Sequence, residues 1–292
     1  MKKNTAQRLA VFFVGIPLFV FTVLSLSFAR YLVLVLLVLL IQYMAVREAS
    51  GLFAARGVKV RTFFLSLLCM GTSAVVYAGI WIQGLPDKTG FLGVQYSFVL
   101  LGILVLLGSY AFARRDRFES ILAMVTAELF IFVYCGVFGS FLIFITSGFV
   151  SAKEAIFTFT LMTFGNDSLA WLFGVSLGRR RGLVEVSPGK SMAGFIGGFA
   201  GSLAAGLISY WLFRFSGVNS LASILFLGAF MGIGVIVGDL VESALKRSAG
   251  VKDSSALVPG RGGILDSFDS LLFTAPLFVV ISSCIGLFSS GV

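Results

Sequence analysis

Leu221-Ala-Ser-Ile-Leu-Phe-Leu-Gly-Ala-Phe-Met-Gly-Ile-Gly-Val-Ile-Val-Gly-Asp239 carries no charge before its last residue, and it passes without a break into Leu240-Val-Glu-Ser-Ala-Leu-Lys-Arg247. At 1.5 Å rise per residue, about 20 apolar residues cross the hydrocarbon core of a bilayer, so the run over 220–241 reads as a spanning helix. The polar tail belongs to a cassette that continues through Lys252-Asp253 and ends in Leu265-Asp-Ser-Phe-Asp269. It gathers Asp239, Glu242, Asp253, Asp266 and Asp269, out of 13 acidic residues in the chain. Charge at a hydrocarbon boundary is costly, which marks this stretch as a candidate reaction centre.

Outward from that span the same pattern repeats. Of the 292 residues 58% are hydrophobic and 12% charged, with 32 Phe; soluble domains carry about a quarter charged residues. Apolar runs fall at 9–29, 31–46, 63–83, 91–110, 121–146, 155–177, 191–211, 220–241 and 270–290. They predict an all-α polytopic integral membrane protein with about nine transmembrane helices. Basic residues concentrate in short cytoplasmic loops. With nine alternating spans, all but Arg30, Lys88, Lys153 and Arg214 of the 22 Lys and Arg fall on one side, which predicts a cytoplasmic N-terminus and a C-terminus outside. The net charge of +9 then reflects topology and anionic lipid rather than nucleic-acid binding. The first run lacks a convincing cleavage site and reads as a retained anchor. Cys69, Cys135 and Cys284 sit singly in apolar runs as small hydrophobes. There is no His, so carboxylates must carry any metal or proton chemistry.

Intramembrane polarity divides the chain into an N-terminal transmembrane scaffold, 1–150, and a catalytic transmembrane region, 151–292, with a cytoplasm-facing polar site. The scaffold contains one lone acid, Glu128, read either as a partner for a charge on another helix or as a structural hydrogen-bonding group. In the second region Gly165-Asn-Asp-Ser168 interrupts the sixth run and places Asp167 near its centre, where an ionised group faces a protein interior or a water-filled cavity. Gly174 and Gly178 form a small-residue face that permits close helix packing. Ser187-Pro-Gly-Lys-Ser191 makes a turn before a Gly-rich span. There Lys190 and free helix amides are suited to an anion, with interface anchoring as the plain alternative.

Within the cassette, Asp239 to Glu242 and Glu242 to Lys246 are i,i+3 and i,i+4 steps on one helical face. Pro259-Gly-Arg-Gly-Gly263 is a flexible turn, and Asp266 and Asp269 are spaced to share a face if that segment is helical. Grouped carboxylates without imidazole or clustered thiolate suit a hard cation such as Mg2+. Surrounding Lys and Arg suit phosphate oxygens. The combination reads as phosphoryl or nucleotidyl transfer at a membrane surface; a salt-bridged cytoplasmic loop is the bland alternative.

These residues carry a resemblance. Ser243-Ala-Leu-Lys-Arg247, Lys252-Asp-Ser254, Leu257-Val-Pro-Gly260, Gly262-Gly-Ile-Leu-Asp266 and Asp269-Ser270 resemble the C-terminal signature of the phosphatidate cytidylyltransferases, or CDP-diacylglycerol synthases. Asp167 with Ala170-Trp171 and Gly174, then Ser187-Pro-Gly-Lys-Ser191 and Gly194 to Gly198, resemble that family's middle motif, and Gly238-Asp239 with Glu242-Ser243 resembles the stretch opening the signature. The resemblance implies a polytopic, often dimeric membrane enzyme that joins CTP to phosphatidic acid, giving CDP-diacylglycerol and pyrophosphate in phospholipid synthesis. It implies Mg2+, alone or with a second cation, and a bacterial inner-membrane location. Carried onto matching positions, Asp239, Asp253 and Asp266 are catalytic or metal-associated acids, Asp167 and Asp269 supporting metal candidates, and Lys252 a catalytic candidate in contact with the triphosphate or lipid phosphate. Ser187, Lys190, Lys246, Arg247 and Arg261 are candidates for contact with the triphosphate or lipid phosphate. The chain departs from the usual pattern at four places: Arg261 stands for His, Ser267 for Arg, Ala193 for an acid and Ser255 for Gly. Two readings of other classes stand beside it, a transporter of an anionic or lipid-like substrate and a catalytically inactive lipid-binding relative. A CTP-using kinase of prenol-like alcohols is a narrower enzymatic alternative.

Overall fold

Backbone N–H and C=O groups in hydrocarbon find no water, and a helix satisfies them within one segment. The computed structural model describes residues 21–82, 88–112, 118–179, 181–213, 221–258, 260 and 262–288, and the secondary structure of these residues is helical apart from two isolated bridges, Arg181 with Ser191 and Val258 with Gly262. The helices are α1 (Phe28–Ala54), α2 (Thr62–Ile82), α3 (Lys88–Gly108), α4 (Phe118–Ile131), α5 (Phe138–Ser147), α6 (Ala152–Ser176), α7 (Met192–Phe213), α8 (Leu221–Ala249) and α9 (Ile264–Cys284). A π-helical turn, Phe132–Val137, joins α4 to α5.

Among the described residues six helical segments are long and apolar enough to cross a membrane: Phe28–Ala54, Thr62–Ile82, Phe118–Ser147, Met192–Phe213, Leu221–Ala249 and Ile264–Cys284. The protein is thus an all-α, multi-pass membrane protein, but the expected nine spans are corrected to about six. Three runs account for the difference. The run at 9–29 lies mostly outside the described residues. The run at 91–110 gives a shorter apolar helix, Tyr96–Phe112. The run at 155–177 forms the full-length helix α6, yet with Asn166 and Asp167 in its middle it is not among the helices apolar enough to span. The odd count supported the cytoplasmic N-terminus and external C-terminus, and that orientation loses its support with it. The interruption expected at 165–168 is also absent, because α6 runs through it unbroken.

The chain divides into two compact units, one within Met1–Gly148 and Ser248–Phe268, the other within Phe149–Arg247 and Asp269–Val292. In the first unit the helix α1 continues past the apolar run ending at 46, because Arg47 and Glu48 end the hydrophobicity but are good helix formers. Its buried Gln42 donates to the carbonyls of Cys135 and Gly136, at 2.9 and 3.2 Å, in the π turn. A π turn disturbs the regular i→i−4 ladder, and a buried amide placed there supplies donors to its carbonyls. Fully buried Glu128 on α4 accepts from the Arg61 backbone N–H at 2.9 Å, from Arg61 Nε at 3.0 Å and from the Tyr110 hydroxyl at 2.7 Å. Hydrogen bonding to Glu128 raises the Arg61 pKa above its ordinary value, so the guanidinium stays charged. Both readings of Glu128 meet here: it is a structural hydrogen-bonding group, and it partners a charge, although Arg61 stands just before α2 rather than on a helix.

In the second unit α6 and α7 meet along glycine. A Cβ on Gly201 would collide with the Gly165 carbonyl oxygen, and one on Gly198 would lie 2.6 Å from Asn166 Oδ1. The buried Asn166 amide crosses this seam, donating to Ser202 Oγ at 3.0 Å and to the Gly232 carbonyl on α8 at 3.1 Å. Helix α8 in turn packs on α9 where Gly238 faces Phe273 and Gly234 faces Thr274 and Leu277. Without a hydrophobic force between helices in lipid, such close approach and buried hydrogen bonding are what hold them together.

Candidate functional site

The polar residues fall into two groups, one in each unit. In the first unit the 252–263 loop leads into α9, whose first amides lack intrahelical partners. Asp266, in the first turn, reaches back to the Gly263 N–H at 2.6 Å, the carboxylate half of a capping box. The same oxygen accepts from the Ser254 backbone N–H at 2.8 Å and from Ser254 Oγ at 2.9 Å. Gly262 adopts φ +107°, which excludes most side chains, and a Cβ there would lie 2.5 Å from Asp266 Oδ2 and 3.2 Å from the Asp253 Cβ. The chain therefore brings Asp253 and Asp266 close together across Gly262. Lys252 and Asp253 are exposed. Ser267 donates to the Gly263 carbonyl at 3.0 Å, a bond within the first turn. Arg261 lies outside the described residues.

A residue without a sequence signal joins this group. Glu48, on α1, accepts from Ser255 Oγ at 2.7 Å, Ser254 Oγ at 2.9 Å, the Ile264 N–H at 3.0 Å and the Leu265 N–H at 2.7 Å. It sits at the end of an apolar run some two hundred residues from its partners, so spacing alone does not reveal it.

In the second unit the Ser187-to-Ser191 stretch is a tight turn. The Lys190 N–H donates to the Ser187 carbonyl and the Gly182 N–H to the Pro188 carbonyl. Ser191 is the N-cap of α7, its hydroxyl accepting from the Gly194 N–H at 3.1 Å. Lys190 pairs with Asp239 at 2.5 Å, and Lys246 with the buried Glu242 at 2.5 Å. Arg247 Nε donates to the Val186 carbonyl at 3.4 Å. Asp269 is 7% exposed, accepts from the Ser270 N–H, and experiences Asp239 and Asp167 as like charges, with Lys246 as a partial offset. The expected Lys190, Lys246, Asp239, Asp167 and Asp269 are thus electrostatically connected in one unit, together with the Ser187 turn and Arg247. Asn166, next to Asp167, is the buried member of that pair, and sequence reasoning passed over it for the charged neighbour.

Among the described residues no three acids or cysteines converge into a ready-made metal cluster. The donor chemistry nonetheless fits a hard divalent cation: the groups are carboxylates, and the buried Asp269 has two further carboxylates acting on it.

The family model for the cytidylyltransferase family matches residues 6–285. Over 117 residues the chain is 46% identical to the uncharacterised protein YnbB of Escherichia coli, and over 118 residues 45% identical to a phosphatidate cytidylyltransferase of a Synechocystis species. These matches span 40% and 39% of this chain and only 38% and 39% of the relatives. A phosphatidate cytidylyltransferase of Staphylococcus haemolyticus is 29% identical over 85% of this chain and 89% of its own length. The chain belongs to the cytidylyltransferase family, a family of nucleotidyl-transferring enzymes.

Proposed function

We propose that the protein transfers the cytidylyl group of CTP to phosphatidic acid, releasing pyrophosphate and leaving CDP-diacylglycerol in the membrane. The observation that carries this reading is the Lys190–Asp239 pair, a cation suited to phosphate held against a carboxylate within the long apolar helix α8, in a chain of this family. The named relatives support the lipid acceptor, and their bacterial sources support a bacterial inner membrane as the location.

In this reading an oxygen of the lipid phosphate attacks the α-phosphorus of CTP. A new P–O bond forms, the α–β bridging bond breaks, and pyrophosphate leaves with the electron pair. A phosphate monoester is already ionised near neutral pH, so a general base is not required, in keeping with a chain that has no His. Lys190, Lys246 and Arg247, with the Ser187 turn, bind phosphate oxygens, and Lys190 exchanges its bond to Asp239 for one to the substrate. Asp239, Asp269 and Asp167 would hold Mg2+, with Asp266 assigned to the same work by resemblance; bound there, the cation supplies neutralisation of phosphate charge. Asp253 and Lys252 are proposed to act on the reacting phosphates, and Arg261 to contact them.

One observation favours a second reading. Asp266 Oδ2 already accepts from two backbone amides, Gly263 just before α9 and Ser254, with the Ser254 hydroxyl in reach, as it would in a relative that binds lipid without turnover. Pyrophosphate release from CTP, measured in detergent with and without phosphatidic acid and Mg2+, separates the two. Turnover that needs both lipid and cation, and that falls in Asp266→Asn, is expected; lipid binding without turnover by the folded parent protein would establish the inactive reading.

A further inference from the structure

Glu48 is the unassigned carboxylate with the most complete set of partners in the first unit. Each of its oxygens takes one serine hydroxyl and one amide from the start of α9: Oε1 takes Ser255 and Ile264, Oε2 takes Ser254 and Leu265. Ser255 and the two amides donate here and Ser254 is placed to do so, so the position calls for a group that only accepts, and a carboxylate is the side chain that offers two such oxygens. An anion also suits the positive end of a helix, where these amides lie.

The loop is held from two directions. Ser254 Oγ lies 2.9 Å from Glu48 Oε2 and 2.9 Å from Asp266 Oδ2. A hydroxyl has one proton, so it serves one carboxylate at a time, and Glu48 and Asp266 are coupled through Ser254. A Cβ on Gly263 would collide with Ser254 Oγ and Glu48 Oε2, so the backbone at that point leaves room for the clamp and for nothing larger. Asp253 precedes the clamped serines directly and Asp266 follows the clamped amides directly.

We infer that Glu48 is a positioning residue, which fixes Ser254, Ser255, Ile264 and Leu265 and through them sets where the adjoining Asp253 and Asp266 carboxylates stand. The role in turnover rests on the cytidylyl-transfer reading; the clamp itself does not. Glu48 touches no substrate in this scheme. It acts by holding the turn whose two flanking acids are assigned to the reaction.

Two measurements test it on the full-length protein in detergent. Hydrogen exchange reads the clamp without any turnover: in Glu48→Gln, which replaces one acceptor by a donor, the amides of 254–265 exchange about tenfold faster, while those of α8 keep their parental rates. Glu48→Asp retains two accepting oxygens and recovers part of the protection. Kinetics reads the consequence: Glu48→Gln lowers kcat by about tenfold or more, raises the Mg2+ concentration for half-maximal rate and leaves KM for CTP within about twofold, and Glu48→Asp recovers part of kcat. A merely structural loss would reduce the amount of folded enzyme and leave the kcat of the remainder and its Mg2+ dependence unchanged. Unchanged exchange across 254–265 in Glu48→Gln overturns the clamp. Faster exchange with parental kcat and Mg2+ dependence overturns its role in positioning. A parent protein with no lipid-dependent turnover removes the cytidylyl-transfer reading and the kinetic role with it, and exchange still decides the clamp.

Discussion

Ser255 stands where the resembled family usually has glycine, and its hydroxyl is one of the donors to Glu48. That departure therefore has a structural consequence, an added hydrogen bond to a charged group, worth about 1.5–3 kcal/mol where such bonds are buried and less at this half-buried site. Ser267, in place of arginine, uses its hydroxyl on the backbone of its own helix and offers no charge to a phosphate. Asp269 presents the opposite case, a buried acid whose neighbours Asp239 and Asp167 oppose its charge. Groups kept against their own electrostatic interest are characteristic of sites that trade stability for function. Asp269→Asn is expected to raise the thermal unfolding temperature, or leave it unchanged, while reducing lipid-dependent pyrophosphate release by about tenfold or more. Parental turnover in a folded Asn variant would remove Asp269 from the proposed metal group.

Helices were readable from the sequence wherever apolar runs were clean, as in α2, α7 and α8. Reading failed where polarity and helicity part company. The polar stretch at 165–168 looked like a break, yet Asn166 is satisfied by Ser202 and the Gly232 carbonyl, so α6 continues through it. The run at 31–46 looked short because Arg47 and Glu48 closed it, whereas the helix extends to Ala54. Glycine shows the same limit, since sequence cannot tell a packing glycine from a tolerated one. Gly201 lies against the backbone of Gly165 and Asn166, while Gly71 on α2 has open space where its Cβ would be. Gly201→Ala forces two helix backbones apart and is expected to cost about 1–3 kcal/mol. Gly71→Ala gains helix propensity and is expected to be neutral or stabilising by up to about 1 kcal/mol. Thermal unfolding of both variants in the same detergent measures the contrast; equal effects would mean that the α6–α7 contact does not depend on a bare backbone at 201.

Composition identified a helical membrane protein because hydrocarbon leaves the backbone few alternatives, but counting runs overestimated the spans: α6 is long and helical without being apolar enough. The site was partly readable for a related reason. Acids at the ends of apolar runs, such as Asp239 and Asp269, announce themselves by their cost, whereas Glu48 acquires meaning only through partners distant in sequence. What the molecule does with its charge as a whole can be put to a binding test. Its net charge is +9, yet in the second unit the buried Asp269 has Asp239 and Asp167 as like charges, with Lys246 as a partial offset and Lys190 paired to Asp239. A divalent cation bound there would relieve the repulsion and stabilise the folded state by about 2.7 kcal/mol at a hundred times its Kd. Chelation of divalent ions is therefore expected to abolish pyrophosphate release and lower the unfolding temperature, and Mg2+ to restore both. In Asp269→Asn the Mg2+-dependent rise in unfolding temperature should shrink or vanish. A rise of undiminished size in that variant would place the stabilising cation away from Asp269, and the three acids would then act on phosphate or on protein structure rather than on metal.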